Sequence, residues 1–469
     1  MGRWFFYGMM GWLVSAGLAW GGELQCGVAV RDITPPLPFP MAGYYHHRLS
    51  TGTSDPLLAK AMVFQQEDER VVLLICDTIT INESVSAEIR RRVQEKLGIS
   101  PEAVVITATH THTGPIRDTY QPHITPEENA KAVAEGDYRK FNYSCFWVEQ
   151  GMRAIEEAAQ NLRPVALRVV RTNIDNLSFN RRFHMKDSSE VRFNPGIKNP
   201  NILRPAGPID PEAFLMVLEN PETAKPFASL SNFALHLDTT GGNLFSADYP
   251  FYLSEELRKK FGQDFLSVFG TGPCGDINHI DVTGEYRRKA PQIGAELGQH
   301  LVKAWETQAA ATALEKPALS AWSKTISWNR RQYSAEEVQK AKEVREEIHN
   351  PASKYTFLER VKAGMVLRLE KWPPQMALEV QVLRLSHDTA IVTLPGEIFV
   401  ELGMAIKKAS PFRNTLVLEL AQKDIIYVPT QKAFGEGSYE TVNSMIEPGG
   451  GEKLVETALE GLNALKKSL

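Results

Sequence analysis

The segment from residue 71 to residue 108 constrains the fold most. It begins with the short apolar run Val71–Cys76 and ends with a second one, Ala103–Ala108. Both runs are typical of strands that are buried on both faces. Between them, apolar residues recur at helical spacing over Glu83–Leu97, and Gly98 follows as a stop signal. Because a strand–helix–strand unit joins neighbouring parallel strands, the sequence predicts a βαβ crossover.

Similar apolar runs recur along the rest of the chain, and helical patterns separate several of them. The predicted strands are Val165–Val170, Phe227–Leu235, Phe265–Phe269, Leu378–Leu385, Ala390–Leu394 and Thr415–Leu420. With 469 residues, 43% of them hydrophobic, the chain is long enough to form a large core. We therefore predict an α/β fold (mixed α+β), a single large domain with a central mixed β-sheet region flanked by helices. A long surface loop is expected over Asp187–Pro205, and a charged helical insertion that caps the core over Trp328–Pro374.

The first 21 residues have the order of a signal peptide. Arg3 precedes the apolar run Trp4–Val14, and small residues such as Ala16 and Ala19 follow it. We therefore expect a signal peptide at residues 1–21, a mature domain at residues 22–469, and a secreted or periplasmic protein. A retained membrane anchor is the alternative, although the apolar run is short for a span of about 20 residues. No later stretch is apolar enough to span a membrane.

Charge and cysteine content exclude further classes. The formal net charge is -4 and no basic stripe is present, so we expect no nucleic-acid partner. The four cysteines form no CxxC pair and do not make a disulfide framework; whether Cys76 pairs with Cys145 stays open. Cys274 lies near His279 and is either a small buried residue or, less favoured, a nucleophile.

Ionisable side chains follow four of the predicted strands. His110 and His112 stand one residue apart, so in an extended segment they point the same way, and neutral imidazole is a common zinc ligand. His236, Asp276 and Glu397 follow three other strands. Each has a structural alternative: core or surface histidines, an ordinary turn, or a glutamate at a helix start. Taken together, they predict a metal-hydrolase site at the carboxyl ends of the strands.

Seven short motifs in the right order carry a family resemblance. They are Gly27–Tyr44 (GVAVRDITPPLPFPMAGY), Thr107–Pro115 (TATHTHTGP), Asn180-Arg181, Ser231–His236 (SNFALH), Gly275–Asn278, Leu394–Glu397 (LPGE), and Tyr427–Thr430 with Tyr439-Glu440. On these motifs, which span about residues 27 to 441, the chain resembles the neutral/alkaline (non-lysosomal) ceramidase family.

The resemblance implies a catalytic domain that holds one zinc ion. Carried over motif by motif, the ligands of Zn²⁺ are His110, His236, Glu397 and Tyr427. The resemblance also implies a set of catalytic residues: His112, Tyr439, Asn278, Asp276 and Arg181. Among these, His112 assists catalysis beside the metal, Tyr439 donates a hydrogen bond to the developing oxyanion, and Arg181 contacts the substrate.

The sequence departs from the family pattern in two ways. Asn278 stands where the family motif Gly-Asp-Val-Ser-Pro-Asn has its serine, and the immunoglobulin-like C-terminal domain of full-length ceramidases is not expected after the helix Lys453–Leu465. We therefore predict a secreted zinc-dependent hydrolase that cleaves an N-acyl amide, with a sphingolipid as one option. A metal-dependent esterase or deacetylase for a soluble sugar or peptide, and a non-catalytic secreted binding protein, are the alternatives. The expected partner is a small-molecule or lipid N-acyl substrate, and peripheral membrane contact stays open.

Overall fold

A computed structural model describes residues 22–469 except Tyr286, Ala311, Leu314, His349 and Pro351. The expected signal peptide, residues 1–21, lies outside the described residues. Within the described part of the chain, no helix combines the length and the apolar character needed to cross a membrane.

The strands and helices alternate along most of the described chain. The strands are β1 Gln25–Asp32, β2 Gly52–Thr53, β3 Leu58–Gln66, β4 Glu69–Cys76, β5 Val104–Ala108, β6 Arg163–Pro164, β7 Ala166–Asn173, β8 Phe179–Asn180, β9 Arg182–Met185, β10 Arg192–Phe193, β11 Ile202–Pro205, β12 Glu212–Glu219, β13 Pro226–Phe233, β14 Leu244–Phe245, β15 Leu266–Thr271, β16 Ile277–Asn278, β17 Pro317–Asn329, β18 Gln375–Ser386, β19 Thr389–Thr393, β20 Glu397–Ile398, β21 Asn414–Leu418 and β22 Tyr427–Val428. The α-helices are α1 Glu83–Leu97, α2 Pro126–Glu135, α3 Tyr143–Gln160, α4 Tyr249–Phe261, α5 Ala290–Gln308, α6 Ala335–Val344, α7 Phe357–Leu369, α8 Val400–Ala409, α9 Gln431–Glu436, α10 Tyr439–Val442 and α11 Gly450–Lys467. Short 3₁₀ helices lie at Pro101–Ala103 and Arg345–Glu347.

The predicted βαβ crossover is confirmed. Strands β4 and β5 are parallel neighbours, with Cys76 opposite Ala108, and α1 connects them. The side chain of Asn82 accepts a hydrogen bond from the first turn of α1, and Gly98 ends the helix with a φ of 66°. The apolar stripe of α1 is buried, as the helical spacing predicts.

The mixed α/β class is confirmed, and the sheet region consists of three main sheets. Their strand orders are β5-β4-β3-β1-β6, β15-β13-β12-β7 and β17-β18-β19-β21. Each sheet is antiparallel except for one parallel pair: β4 with β5, β13 with β15, and β19 with β21. A βα connection brings the chain out at the carboxyl end of each of these pairs, where ligands bind in α/β proteins.

Hydrogen bonds hold the carboxyl ends of the three parallel pairs together. Thr107 Oγ1 donates to the carbonyl oxygen of Glu419 at 2.6 Å, and the amide of Glu419 donates to the carbonyl of Thr271 at 3.1 Å. Thr271 Oγ1 in turn donates to the carbonyl of Thr109 at 2.8 Å. The loops that follow β5, β15 and β21 therefore begin at one point in the molecule.

Two expectations about connecting segments need correction. Asp187–Pro205 is not purely a surface loop, because β10 and β11 within it pair with β9 to form a small sheet. Trp328 lies in β17 rather than in a helical insertion, and the helical part of that region is α6 and α7. The four cysteines are all buried free thiols, so Cys76 and Cys145 do not pair.

Candidate metal centre and active site

His110 leaves the end of β5 with an unusual backbone. Its φ is 76°, so the prediction that His110 and His112 lie in an extended segment is wrong. The His110 amide donates to the carbonyl of Thr78 at 2.9 Å, and its Nδ1 lies 2.6 Å from the carbonyl of Ile79. These contacts come from the segment after β4 and hold the residue in a conformation that costs about 1–2 kcal/mol for an L-residue. Since a carbonyl only accepts, Nδ1 of His110 carries the proton and Nε2 presents a lone pair.

Three imidazoles meet at this point. The Nε2 atom of His236, which follows β13, lies 3.1 Å from Nε2 of His110 and 3.0 Å from Nε2 of His112. The His112 amide donates to the carbonyl of Leu237 at 3.1 Å, which holds the two loops together. His110 and His236 are each 2% exposed. One nitrogen from each ring lies within 4.8 Å of the others, so the three histidines are close enough to hold one metal ion.

Glu397 brings a carboxylate to the same place. Its Oε2 lies 3.4 Å from Nε2 of His110 and is a buried oxygen without a hydrogen-bond partner among the described residues. The parallel pairing of β20 with β22 places Glu397 opposite Tyr427, and Gly396 makes this possible with a φ of 80°. A Cβ at residue 396 would lie 2.6 Å from the carbonyl oxygen of Ile426.

These neighbours fit a bound cation. A lone pair on Nε2 of His110 faces a second imidazole nitrogen and an unpartnered carboxylate oxygen, an arrangement that repels itself unless a proton or a cation lies between them. Imidazole nitrogen together with carboxylate oxygen is a donor set that zinc accepts. The observed geometry therefore suits a divalent transition metal.

Burial and charge set the protonation of the imidazoles. Burial, followed by the charge on His110, lowers the pKa of His112 to about 3. The same causes lower the pKa of His236 well below its usual range. Burial also opposes the charged form of His110, but the carboxylates of Glu397 and Glu419 and the carbonyl of Ile79 together outweigh it and raise the pKa of His110. Two of the three rings are thus neutral near pH 7, the form in which imidazole binds metals.

Tyr427 and Tyr439 lie beside this centre. Their ring centroids are 5.7 Å apart, and the Tyr439 hydroxyl lies 3.3 Å from the hydroxyl of Tyr45. Burial, with the carboxylate of Glu397 next, raises the pKa of Tyr427 well above 10. The guanidinium of Arg181 stands 5.3 Å from the centroid of the Tyr427 ring. The structure therefore brings His110, His112, His236 and Glu397 together, and Tyr427, Tyr439 and Arg181 line the open space beside them.

Asp276 and Asn278 differ from each other in placement. Asp276 is buried: its Oδ1 accepts from the amide of Val400, the first residue of α8, and its Oδ2 accepts from Asn180, both at 2.8 Å. Burial raises the pKa of Asp276 to about 6. Both of its oxygens are occupied by the scaffold, so Asp276 positions α8 and the Asn180-Arg181 segment. Asn278 lines the open space beside the histidines, and its Nδ2 donates to Asn194 Oδ1 at 2.7 Å.

Two openings reach the histidines. The first, which we call the polar cleft, has a volume of about 420 Å³, and its lining includes His112, His236, Asn278, Arg287 and Lys289. The second, which we call the broad groove, has a volume of about 890 Å³. His112, Tyr427 and Tyr439 line both openings.

The broad groove has a row of apolar side chains on one side. It runs past His110 and Glu397 and along α7, where Phe357, Val361 and Met365 face it. The metal centre therefore lies where a polar opening and a larger, partly apolar one meet, an arrangement suited to a substrate with chemically different ends.

Several residues around the three histidines were not predicted from the sequence. The Tyr44 hydroxyl donates to Asp238, whose Oδ1 lies 3.9 Å from Nδ1 of His112. Glu440 binds the guanidinium of Arg181 at 2.9 Å. These residues stand in or next to motifs already noted, so proximity in sequence was the available signal.

Glu419 was not predicted as a site residue for a different reason: it lies inside an apolar run that predicts a strand. It is fully buried, and its carboxylate accepts from the amide of Ile398 at 2.6 Å. The thiol of Cys274 contacts its other oxygen at 3.0 Å. Burial raises the pKa of Glu419 to about 8 and that of Cys274 well above 9. The Cys274 thiol is therefore a buried group held by Glu419, which favours the structural interpretation of this cysteine.

Comparisons with known proteins agree with this geometry. The family model for neutral/alkaline non-lysosomal ceramidase, N-terminal, matches residues 24–287. Among solved structures, a crystal structure of neutral ceramidase from Pseudomonas aeruginosa is similar at 19% identity with a TM-score of 0.69, covering 95% of this chain and 75% of that chain. A ceramidase complexed with C2 is similar at 17% identity and a TM-score of 0.69, covering 95% of this chain and 76% of that chain. At these identities the structures show a shared fold. No curated protein matches the chain.

Proposed function

The chain belongs to the neutral/alkaline non-lysosomal ceramidase family, and we propose that it is a zinc-dependent amidohydrolase that cleaves an N-acyl amide with a metal-activated water. The observation that carries the proposal is the meeting of three imidazole Nε2 atoms, 3.0 and 3.1 Å apart, with the unpartnered Oε2 of Glu397. We further propose that residues 22–469 form one catalytic domain and that the protein is exported.

Four residues would hold the ion. His110, His236, Glu397 and Tyr427 would supply two imidazole nitrogens, a carboxylate oxygen and a phenol oxygen, which is a donor set for one zinc ion. When bound, zinc lowers the pKa of a coordinated water to about 7 and polarises a carbonyl oxygen. The raised pKa of Tyr427 means that its oxygen binds as a phenolate only where a cation offsets the carboxylate of Glu397.

His112 is the residue placed to move protons. Its Nε2 points at the metal centre, 3.0 Å from Nε2 of His236, and its side chain is 14% exposed at the meeting of the two openings. A neutral imidazole in this position accepts a proton from the attacking water and returns it to the leaving amine. Asp238, 3.9 Å from Nδ1, favours the imidazolium during the transfer.

Tyr439 and Arg181 complete the proposed site. Tyr439 lines both openings and donates its hydroxyl proton to the oxyanion that forms at the amide carbon, a contribution of about 3 kcal/mol for one such donor. Arg181 is held by Glu440 and lies against Tyr427, so it orients the phenol and contacts the substrate.

The test is hydrolysis of a matched substrate set by the purified mature protein. We expect a long-chain N-acyl amide to be cleaved, a chelator to abolish cleavage, and zinc to restore it. His110→Ala should abolish cleavage, whereas His387→Ala, a change at an exposed histidine, should leave it intact. Cleavage that survives both chelation and His110→Ala would refute a metal-dependent mechanism. Cleavage of the matched O-acyl ester but of no amide would instead identify an esterase.

A further inference from the structure

The polar cleft carries an excess of positive charge. Arg181, Arg287 and Lys289 line it, whereas Asp238 is its one acidic lining residue within the described part of the chain. Arg287 and Lys289 lie just before α5, in the loop after β16, which forms part of the cleft lining. The cleft therefore combines neutral imidazoles with two cations in one lining.

Arg181 and Asp238 are already satisfied by the protein. Arg181 is buried against Glu440 with an Nε–Oε1 distance of 2.9 Å. Asp238 accepts a hydrogen bond from Tyr44. Glu285, an acid on the same loop as Arg287, pairs with Lys198 at 3.1 Å and does not neutralise the cleft.

Arg287 and Lys289 differ from these groups. Neither side chain forms an ion pair with any residue that the structure describes, and both are exposed at the cleft. His279 lines the same cleft, and its Nδ1 is buried and has no hydrogen-bond partner among the described residues. The pKa of His279 is lowered to about 4, chiefly by burial; Asp238 opposes this shift, and the charges of Arg287 and Lys289 contribute to it. The two cations therefore act on the interior of the cleft and do not only face solvent.

In contrast to Arg287 and Lys289, three arginines of the broad groove bind other groups of the protein. Arg48 donates to the carbonyls of Gly242 and His112 at 2.8 and 2.7 Å. Arg117 binds Asp424, and Arg360 donates to the carbonyl of Asn350 at 2.7 Å. These arginines are held by the protein itself.

The remaining lining of the broad groove is suited to a hydrocarbon chain. Met41, Ile116, Phe357, Val361 and Met365 contribute apolar surface to it. Burial of an acyl chain there is favourable because it removes apolar area from water. The acyl side of an amide therefore fits the broad groove, and its amine side fits the polar cleft.

We propose that the amine portion of the substrate carries an anionic group, such as a phosphate, sulfonate or carboxylate, which Arg287 and Lys289 bind in the polar cleft. This inference rests on the proposed amidohydrolase function. His279 adds a neutral hydrogen-bonding nitrogen to the lining of the same cleft. Two unpaired cations in the lining of one cleft favour an anion both by Coulomb attraction and by charge-assisted hydrogen bonds.

The experiment compares amides that share one acyl chain and differ only in the amine: an N-acyl ethanolamine, an N-acyl taurine and an N-acyl glycine. We expect kcat/KM for the sulfonate and the carboxylate to exceed that for the neutral amide by at least about tenfold, the equivalent of one charge-assisted hydrogen bond. In the double variant Arg287→Gln/Lys289→Gln, the anionic-to-neutral ratio should fall at least about tenfold. High salt should reduce the same ratio in the unsubstituted protein.

Arg288→Gln is the matched control. Arg288 lies between the two cations in sequence, but its guanidinium donates to the carbonyl of Asn176 at 2.6 Å and stands 3.4 Å from Glu296. The Arg288→Gln substitution removes the same charge from the same loop, and the anionic-to-neutral ratio of kcat/KM should persist. Equal kcat/KM for all three amides, or an equal loss of preference in Arg288→Gln, would overturn the proposal. Faster cleavage of the neutral amide on addition of free sulfate would also overturn it, because the subsite would then take a free anion.

The two proposals fail in different ways. Chelator-sensitive cleavage of the amides without an anionic preference removes the anion subsite and leaves the amidohydrolase in place. If no amide is cleaved, the proposed function fails, and binding of N-acyl taurine and N-acyl ethanolamine to His110→Ala still decides the subsite. Calorimetry should then show tighter binding of the sulfonate, and equal affinities would contradict the subsite.

Discussion

Replacing Glu440 with glutamine should destabilise the protein by about 3 kcal/mol. Glu440 is fully buried, and its two oxygens contact Arg181 at 2.9 Å and Arg182 at 3.1 Å. Glutamine keeps the volume, so no cavity forms, but two buried guanidinium groups lose their shared counter-ion. Breaking a buried ion pair in this way costs about 3–5 kcal/mol. Because Arg182 also reaches Glu436 at 3.3 Å, we expect the lower end of that range.

Urea unfolding followed by tryptophan fluorescence measures this loss. Glu460→Gln is the matched control, since Glu460 pairs with Lys324 at 2.7 Å while both side chains are about half exposed. An exposed pair contributes about 0–1 kcal/mol. The Glu440→Gln variant should also hydrolyse the amide more slowly, because Glu440 holds Arg181 against the Tyr427 ring. Equal losses of stability in the two variants would refute the assignment of Glu440 as a buried counter-ion.

Three further predictions follow from named contacts. His236→Ala should lower bound metal from about one equivalent to nearly none while the circular dichroism stays unchanged, because His236 lies within 3.1 Å of both other imidazoles; full metal occupancy would contradict this. Burial raises the pKa of Asp248 from 3.8 to about 6, so its contribution to the free energy of unfolding, about 3 kcal/mol, is complete below pH 4 and is lost as the pH rises through 6. In Asp248→Asn that part of the pH dependence should disappear from urea unfolding measured at pH 4 to 7, and an unchanged slope would refute it. Gly294→Ala should destabilise the protein by about 1–3 kcal/mol, since the new Cβ would lie 2.3 Å from the Tyr249 carbonyl oxygen. Gly364→Ala, with open space around it, should stabilise the protein by about 0.4–1 kcal/mol. Thermal unfolding measures both shifts, and equal shifts would argue against the close packing at Gly294.

Local patterns predicted the elements that depend on local chemistry. The apolar runs and the helical spacing identified β4, α1 and β5 because each element buries a face that its own residues define. The same logic placed ionisable residues at strand ends. It could not show that three separate parallel pairs share one edge, since the hydrogen bonds that join them connect residues up to 312 positions apart.

The details of the site depend on distant partners. The positive φ of His110 is maintained by carbonyl groups of Thr78 and Ile79, about 30 positions earlier. The alternation of side chains along a strand therefore gave a wrong prediction of an extended backbone at His110. The role of Glu440 depends on the guanidinium of Arg181, 259 positions away. Arg287 and Lys289 carried no signal in the sequence, because a sequence does not show which cations lack a partner.

Anomalous diffraction from crystals of the protein, recorded on both sides of the zinc absorption edge, tests the proposed metal centre most directly. The account predicts a single strong peak about 2.0–2.1 Å from Nε2 of His110 and of His236, and about 2.0–2.2 Å from an oxygen of Glu397. In crystals grown with zinc, a difference map with no peak among these side chains, or with its main peak at another place in the fold, would contradict it.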